Sequence, residues 1–325
     1  MVLNTPTLNR DMVLETLLPS KVAREKPHYM MLVAFVFAIV GMWLAYFIFP
    51  HSASILTLAF IVIAAEPLIR RTLIQEEEEE AERPGPAATF IERHFDLIAM
   101  YSWFFVGLVL AYMSWYIILP AGDPLQCVGG NICGEFPTRD SVFAEQERQL
   151  SNIANLKADA GTGNVILSIL GLAVGTGEGG FWDITQFLFA NNATVLLLAV
   201  LFSFLFGEGA LFLIGWNASI IGTVMGKIAV QSLATMPVHD LMSIIFAIGY
   251  GIYHGIGFIP HGLPEIVAYY IGAIAGGIIS ASMAKQVYRT NEFSTIAKDA
   301  AGLIVIALLL LFGAAMIESY LWLFT

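Results

Sequence analysis

An uninterrupted run of twenty residues without a charge, 30–49, has counterparts along most of this chain, and no other feature narrows its possible folds as far. At about 1.5 Å of helical rise per residue, such a run covers a hydrocarbon core of about 30 Å. Comparable apolar stretches follow at 52–69, 97–119, 184–206, 209–226, 241–258, 263–284 and 300–324. Hydrophobic residues make up 58% of the 325 positions and charged residues 13%. An ordinary globular domain carries about 45–50% and about 25%. A typical soluble enzyme is thereby excluded, and the expected fold is all-α: a polytopic transmembrane helical bundle of about eight membrane segments, some broken or re-entrant.

The formal charge of −11 comes largely from one place. Glu76 to Glu80 and Glu82 supply six of the 26 acids, and without them the balance would be −5. With no basic stripe and no nucleic-acid motif, a role on DNA or RNA is not expected. Charges scattered through residues 10–26 argue against a cleavable signal peptide. Lys21, Arg24 and Lys26 precede the first span and Arg70 and Arg71 end the second, so the positive-inside rule predicts a cytoplasmic N-terminus and a cytoplasmic acidic stretch. That stretch reads as a solvated linker through Arg83-Pro84-Gly85-Pro86.

Four parts are therefore expected. These are a cytoplasmic segment 1–29, a part 30–119 with the first three spans, an extracellular loop 120–162, and a transmembrane core 163–325. The loop carries the two cysteines, Cys127 and Cys133, which in an oxidising compartment form a disulfide candidate and otherwise remain thiols. Residues 143–157 mix apolar and charged side chains and could lie as a surface helix on the bundle. The run 163–176 is short for a crossing. If it crosses, Lys227, Lys285, Arg289 and Lys298 are all cytoplasmic and the C-terminus is external, which suits the positive-inside rule better. If it does not, all four lie outside.

Gly222 with Gly226, Gly251 with Gly255, and Gly272 with Gly276 form four-residue steps that let helix backbones approach closely, either for packing or for sliding around a path. A homo-oligomer could use the same steps. Polar groups among apolar ones are the sharper clue, because an ionisable side chain at the bilayer centre costs about 2.5–3.5 kcal/mol even on the milder scale. Glu208, Asn217, His261 and Glu265 are the candidate polar cluster. Asn217 should hydrogen-bond across to another helix or to broken backbone. In Pro260-His261-Gly262-Leu263-Pro264-Glu265, Pro264 suits a first helical position, with Glu265 in the first turn and His261 outside the helix. A metal site would draw on His239, His254, His261 and Glu265. No other cofactor is expected, and bound lipid is.

Phe189-Ala190-Asn191-Asn192, Gly215-Trp216-Asn217-Ala218-Ser219 with Gly222, and the Pro260 to Glu265 element together resemble the stage II sporulation protein M family, over about 181–284. Many relatives carry glycine where this chain has Ala218, and the N-terminal hairpin looks like an addition. The resemblance implies an integral membrane scaffold, since the namesake works with cell-wall hydrolases in membrane migration during engulfment. Similar proteins also occur in organisms without spores. A multi-pass plasma-membrane scaffold that recruits membrane or cell-envelope proteins is the first expectation. A transporter or channel lined by Glu208, Asn217, His261 and Glu265 is the second, and an intramembrane metal-dependent hydrolase the third.

Overall fold

The computed structural model describes residues 23, 25–82, 95–122, 125–128, 132–159, 180–206, 210–237, 240–284 and 293–324. Ten helices and one small hairpin appear among them. They are α1 (Tyr29–Ile48), α2 (Ala53–Glu82), α3 (Phe95–Ile118), β1 (Leu125–Val128), β2 (Ile132–Glu135), α4 (Arg139–Val142), α5 (Ala144–Asp159), α6 (Phe181–Phe206), α7 (Ala210–Ala234), α8 (Leu241–Ile256), α9 (Ile259–Ala284) and α10 (Phe293–Phe324). Seven of the helices are long and apolar enough to cross a membrane, and α8 is a shorter apolar helix beside them. The chain folds as a helical membrane bundle.

Small residues decide how the helices meet. In α1 the buried positions include Ala34, Ala38, Gly41 and Ala45, while Leu32, Val36, Val40 and Phe47 are exposed. One narrow stripe packs inward and the apolar remainder is left for lipid. A Cβ added to Gly41 would lie 3.2 Å from the Thr57 carbonyl of α2, and one added to Gly107 of α3 would collide with the Met31 carbonyl of α1. Around these contacts α1, α2, α3 and α7 share one apolar core, with Phe104, Leu108 and Tyr112 fully buried. A second core joins α6, α9 and α10 through Leu196, Tyr269, Ile274, Leu303 and Leu311. Tyr270 of α9 links the two by stacking on Tyr101 at 5.4 Å and donating its hydroxyl to the Tyr101 carbonyl at 3.2 Å.

These contacts also fix direction. Gly215, Gly222 and Gly226 of α7 lie successively against Leu108, Val109 with Tyr112, and Tyr116 of α3, so α7 and α3 run parallel. Asn192 faces Glu265, and Gly272 and Gly276 lie against Leu196 and Val200, so α6 and α9 are parallel as well. Thr185 meets Ser319 and Phe189 meets Phe312, which makes α10 antiparallel to α6. We call the end where α1 turns into α2 through Pro50–Ser52 the upper end. The end of α3, the start of α6, the end of α7 and the end of α10 all lie there.

Several expectations change at this level. The acidic run is a continuation of α2, helical through Glu82 rather than a linker, because glutamate is a good helix former and no proline or glycine occurs between Pro67 and Pro84. Asn191 and Asn192 lie well inside a span, since α6 starts ten residues before Asn191 at Phe181 and runs unbroken past them. Pro264 lies inside α9, which begins at Ile259, so His261 is helical and one turn before Glu265 on the same side. The missing amide of Pro264 falls within the second turn, where the helix loses only one bond. Gly251 and Gly255 of α8 pack on Met225 and Ala229, so α8 descends along α7 and only Gly257 and Phe258 separate it from α9. The pair makes one broken passage. Consequently Lys227 belongs to the upper end and Lys298, near the start of α10, to the other, whereas the sequence reading put them on the same side. The 163–176 run, Lys285 and Arg289 lie outside the described residues.

The segment after α3 is folded onto the bundle. Thr138 caps α4 by accepting from the Ser141 amide at 3.3 Å. Arg139 donates from Nε to the Tyr116 carbonyl at 2.6 Å, satisfying one of the acceptors left open where α3 ends. Phe143 is fully buried and packs edge-on against the rings of Tyr112 and Tyr116. Gln146 follows it into the interior, which is more than a surface helix would do.

The hairpin gives a testable pairing. Its antiparallel register sets Cys127 opposite Cys133. Opposed residues have Cα atoms about 4.5–5.5 Å apart, inside the range of about 4.4–6.8 Å that a disulfide spans. Protein isolated without reductant should yield a linked Cys127–Cys133 peptide that resists alkylation until reduced. Complete alkylation of both before reduction would refute the bond.

Candidate functional site

Near the middle of α6, the buried Asn192 amide is the hub of a polar group enclosed by apolar helices. Its Nδ2 donates to Glu265 Oε1 of α9 at 2.6 Å, and its Oδ1 accepts from the Tyr269 hydroxyl at 3.1 Å. Asn191, exposed beside it, donates to the same oxygen at 3.3 Å. Glu265 and Tyr269 sit one helical turn apart, so a single amide on the parallel helix reaches both. Glu318 of α10 is an electrostatic neighbour of Glu265 and Tyr269. Two turns nearer the upper end on α6, the Thr185 hydroxyl donates to Ser319 Oγ at 2.9 Å, and Ser319 donates onward to the Ala315 carbonyl at 2.7 Å. The seam between α6, α9 and α10 therefore holds two carboxyl groups, an amide, a phenol and two small hydroxyls.

Carboxylates avoid lipid unless a partner offsets their lost hydration. Here the amide and the aromatic hydroxyl form a directed series from Tyr269 to Asn192 to Glu265. Such an arrangement can hold a carboxyl oxygen in place and can present it to a proton or a small cation.

The proposed cluster is only partly assembled. Glu265 sits at the centre of the seam, and His261 lies one turn above it, 6.1 Å ring to ring from Phe258. Asn217 is spent within its own helix, donating to the Leu213 carbonyl at 2.9 Å rather than across to a neighbour. Glu208 and His239 lie outside the described residues. His254 is exposed on α8 and packs against Tyr250 at 4.4 Å. Among the described residues no three metal-binding side chains come together.

The glycine steps face neighbours within the same chain. A Cβ at Gly222 would come 2.6 Å from the Val109 carbonyl, at Gly226 2.7 Å from Tyr116 Cβ, at Gly251 2.5 Å from the Met225 carbonyl, and at Gly255 2.7 Å from Met225 Cε. Gly272 and Gly276 face α6 in the same way, against Leu196 and against the Val200 carbonyl.

Sequence reasoning missed Asn192, Tyr269 and Glu318. Glu318 was within reach, as the only charge in the apolar run 300–324. Asn192 carries part of the family resemblance but, being uncharged, does not stand out in sequence as a member of a polar cluster. Tyr269 gives no signal without its partner.

A second polar group is buried at the upper end. The Ser54 hydroxyl of α2 donates to Gln146 Oε1 at 2.6 Å, and Gln146 Nε2 donates to Ser219 Oγ of α7 at 3.2 Å. Next to it, Glu147 accepts from Lys227 Nζ at 2.6 Å and from the Tyr116 hydroxyl at 2.5 Å. Helix α5 is thus tied to three membrane helices.

The sequence model of the family described as Stage II sporulation protein M matches residues 30–321, most of the chain and well beyond the 181–284 stretch that carried the resemblance. The N-terminal hairpin is accordingly part of the matched region. Neither a curated protein nor a solved structure matches the chain.

Proposed function

Because the chain belongs to the stage II sporulation protein M family, we propose that it is a membrane-embedded scaffold that positions partner proteins on the platform made by α4 and α5. The carrying observation is the anchoring of that platform: buried Gln146, paired Glu147 and Arg139 fasten a hydrophilic segment to α2, α3 and α7. A loop free to sample solvent needs no such ties. The outward side offers Phe136, 48% exposed, with Asp140, Arg148 and Ser151, a mixture of aromatic and charged groups suited to protein recognition.

Charge distribution supports an external platform. Lys26, Arg70, Arg71 and Lys298 cluster at the lower end, so the positive-inside rule puts that end in the cytoplasm. The N-terminus is then cytoplasmic, the C-terminus external, and the partners are membrane or cell-envelope proteins. Purification from native membranes in mild detergent should retain a partner in fixed ratio. Phe136→Ala with Arg148→Glu should lose it without shifting thermal unfolding of the bundle, and undiminished retention would overturn the reading.

The Glu265 and Glu318 pair favours a second reading, transport of protons or a small cation along the α6–α9–α10 seam. Purified protein in liposomes should then pass ions down an imposed gradient, and Glu265→Gln should abolish the flux. Equal flux in the variant, or none in either, would reject it.

A further inference from the structure

We propose that residues 144–148, hinged on the buried Phe143, form a removable wedge that closes a hydroxyl-lined cleft between α2 and α7, with Glu147 as its latch. The cleft is visible in the helix directions. Helices α2 and α7 touch where a Cβ on Gly215 would lie 3.1 Å from Leu58, and one turn nearer the upper end on each helix stand Ser54 and Ser219. There the fully buried Gln146 carboxamide bridges the two hydroxyls. Thr57 and Thr223, one turn from these serines, are buried beside them.

The hydrogen bonds make withdrawal inexpensive. Ser219 also donates to the Trp216 carbonyl, Thr57 to the Ala53 carbonyl, and Thr223 to the Ser219 carbonyl, each at 2.7 Å. These hydroxyls keep a partner within their own helices after Gln146 leaves, and Gln146 itself passes to water. Ser54, which donates to Gln146 and accepts from the Glu145 amide at 3.2 Å, loses both partners, so the usual penalty for opening a polar contact falls on this one hydroxyl until water reaches it. Glycine contacts close the bundle below, whereas the wedge is held by a few polar bonds worth little each in net terms. The strongest is the Glu147 carboxylate, shared by Lys227 and Tyr116, and it is partly exposed, with relative exposures of 40% for Lys227 and 29% for Glu147. The scaffold reading concerns the same segment, but the wedge rests on the hydroxyl pairing beneath it and needs no partner.

The test uses full-length purified protein in lipid nanodiscs, so its failure leaves the scaffold reading intact. A cysteine at Thr223 should react slowly with a charged, membrane-impermeant thiol reagent, as followed by peptide mass spectrometry. Glu147→Gln should speed that reaction by about three- to tenfold, the range for losing a partly screened charged hydrogen bond. An unchanged rate would overturn the proposal. Hydrogen exchange gives a readout without the cysteine: amides of 144–151 should exchange faster than those of 211–226, and faster again in Glu147→Gln. Equal protection of the two stretches, unaltered by the substitution, would also overturn it.

Discussion

Alanine at Gly276 should destabilise the bundle by about 1–3 kcal/mol, while alanine at the adjacent Gly277 should be neutral or stabilising by up to about 1 kcal/mol. The contrast comes from what each new methyl group would meet. At Gly276 it would enter the Val200 carbonyl and lie 2.9 Å from Ser203 Cβ, both attached to the α6 backbone, so α6 and α9 must part. Nothing lies within 4 Å of a Cβ at Gly277, and alanine there only removes conformational freedom from the unfolded chain. Gly272 should fall between them, because its nearest obstacle is the end of the Leu196 side chain, which can rotate away. Thermal unfolding in one detergent, read by near-ultraviolet circular dichroism, would rank the three. Equal effects at 276 and 277 would show that α6 and α9 do not pack as described.

Leucine at Asn192 should cost about 3–5 kcal/mol, the range for leaving a buried charged or polar group without its partner. One substitution removes both the donor to Glu265 and the acceptor of the Tyr269 hydroxyl. The double variant Asn192→Leu, Glu265→Leu should recover much of the loss, since replacing both members of a buried pair by apolar groups can be nearly neutral. A double-mutant cycle on equilibrium unfolding gives the coupling directly. Strict additivity of the two changes would mean that Asn192 and Glu265 do not interact.

Residue chemistry explains which parts of this architecture could be read from sequence. The spans were legible because lipid demands length and apolarity together, and residues 30–49 satisfy both without tertiary help. The glycine steps were legible as close contacts but not as partners, since spacing alone does not say which helix lies opposite Gly222. Pro264 misled because proline at a helix start and proline in a helix's second turn look alike in sequence. The division of 241–284 into two crossings has the same origin, because the Pro260 to Glu265 element reads in sequence as a turn and a helix start, whereas it lies within α9. Glu265 stood out by its charge in an apolar run, whereas Asn192 and Tyr269 became a site only when two parallel helices aligned. Gln146 was the least legible residue, because an amide in a charged stretch signals solvent until Ser54 and Ser219 are seen on either side.

Relative sidedness is the most direct test of the whole arrangement. Single cysteines at Ser151, Thr235 and Lys298 would be labelled in intact cells by an impermeant thiol reagent, then again after permeabilisation. Ser151 and Thr235 should label from outside, because α5 is tied to the upper part of α7 through Glu147 and Lys227, and Lys298 only after permeabilisation. If Thr235 and Lys298 instead label together from one side, α8 and α9 do not make one broken passage, and the contradiction would reach every contact that depends on it.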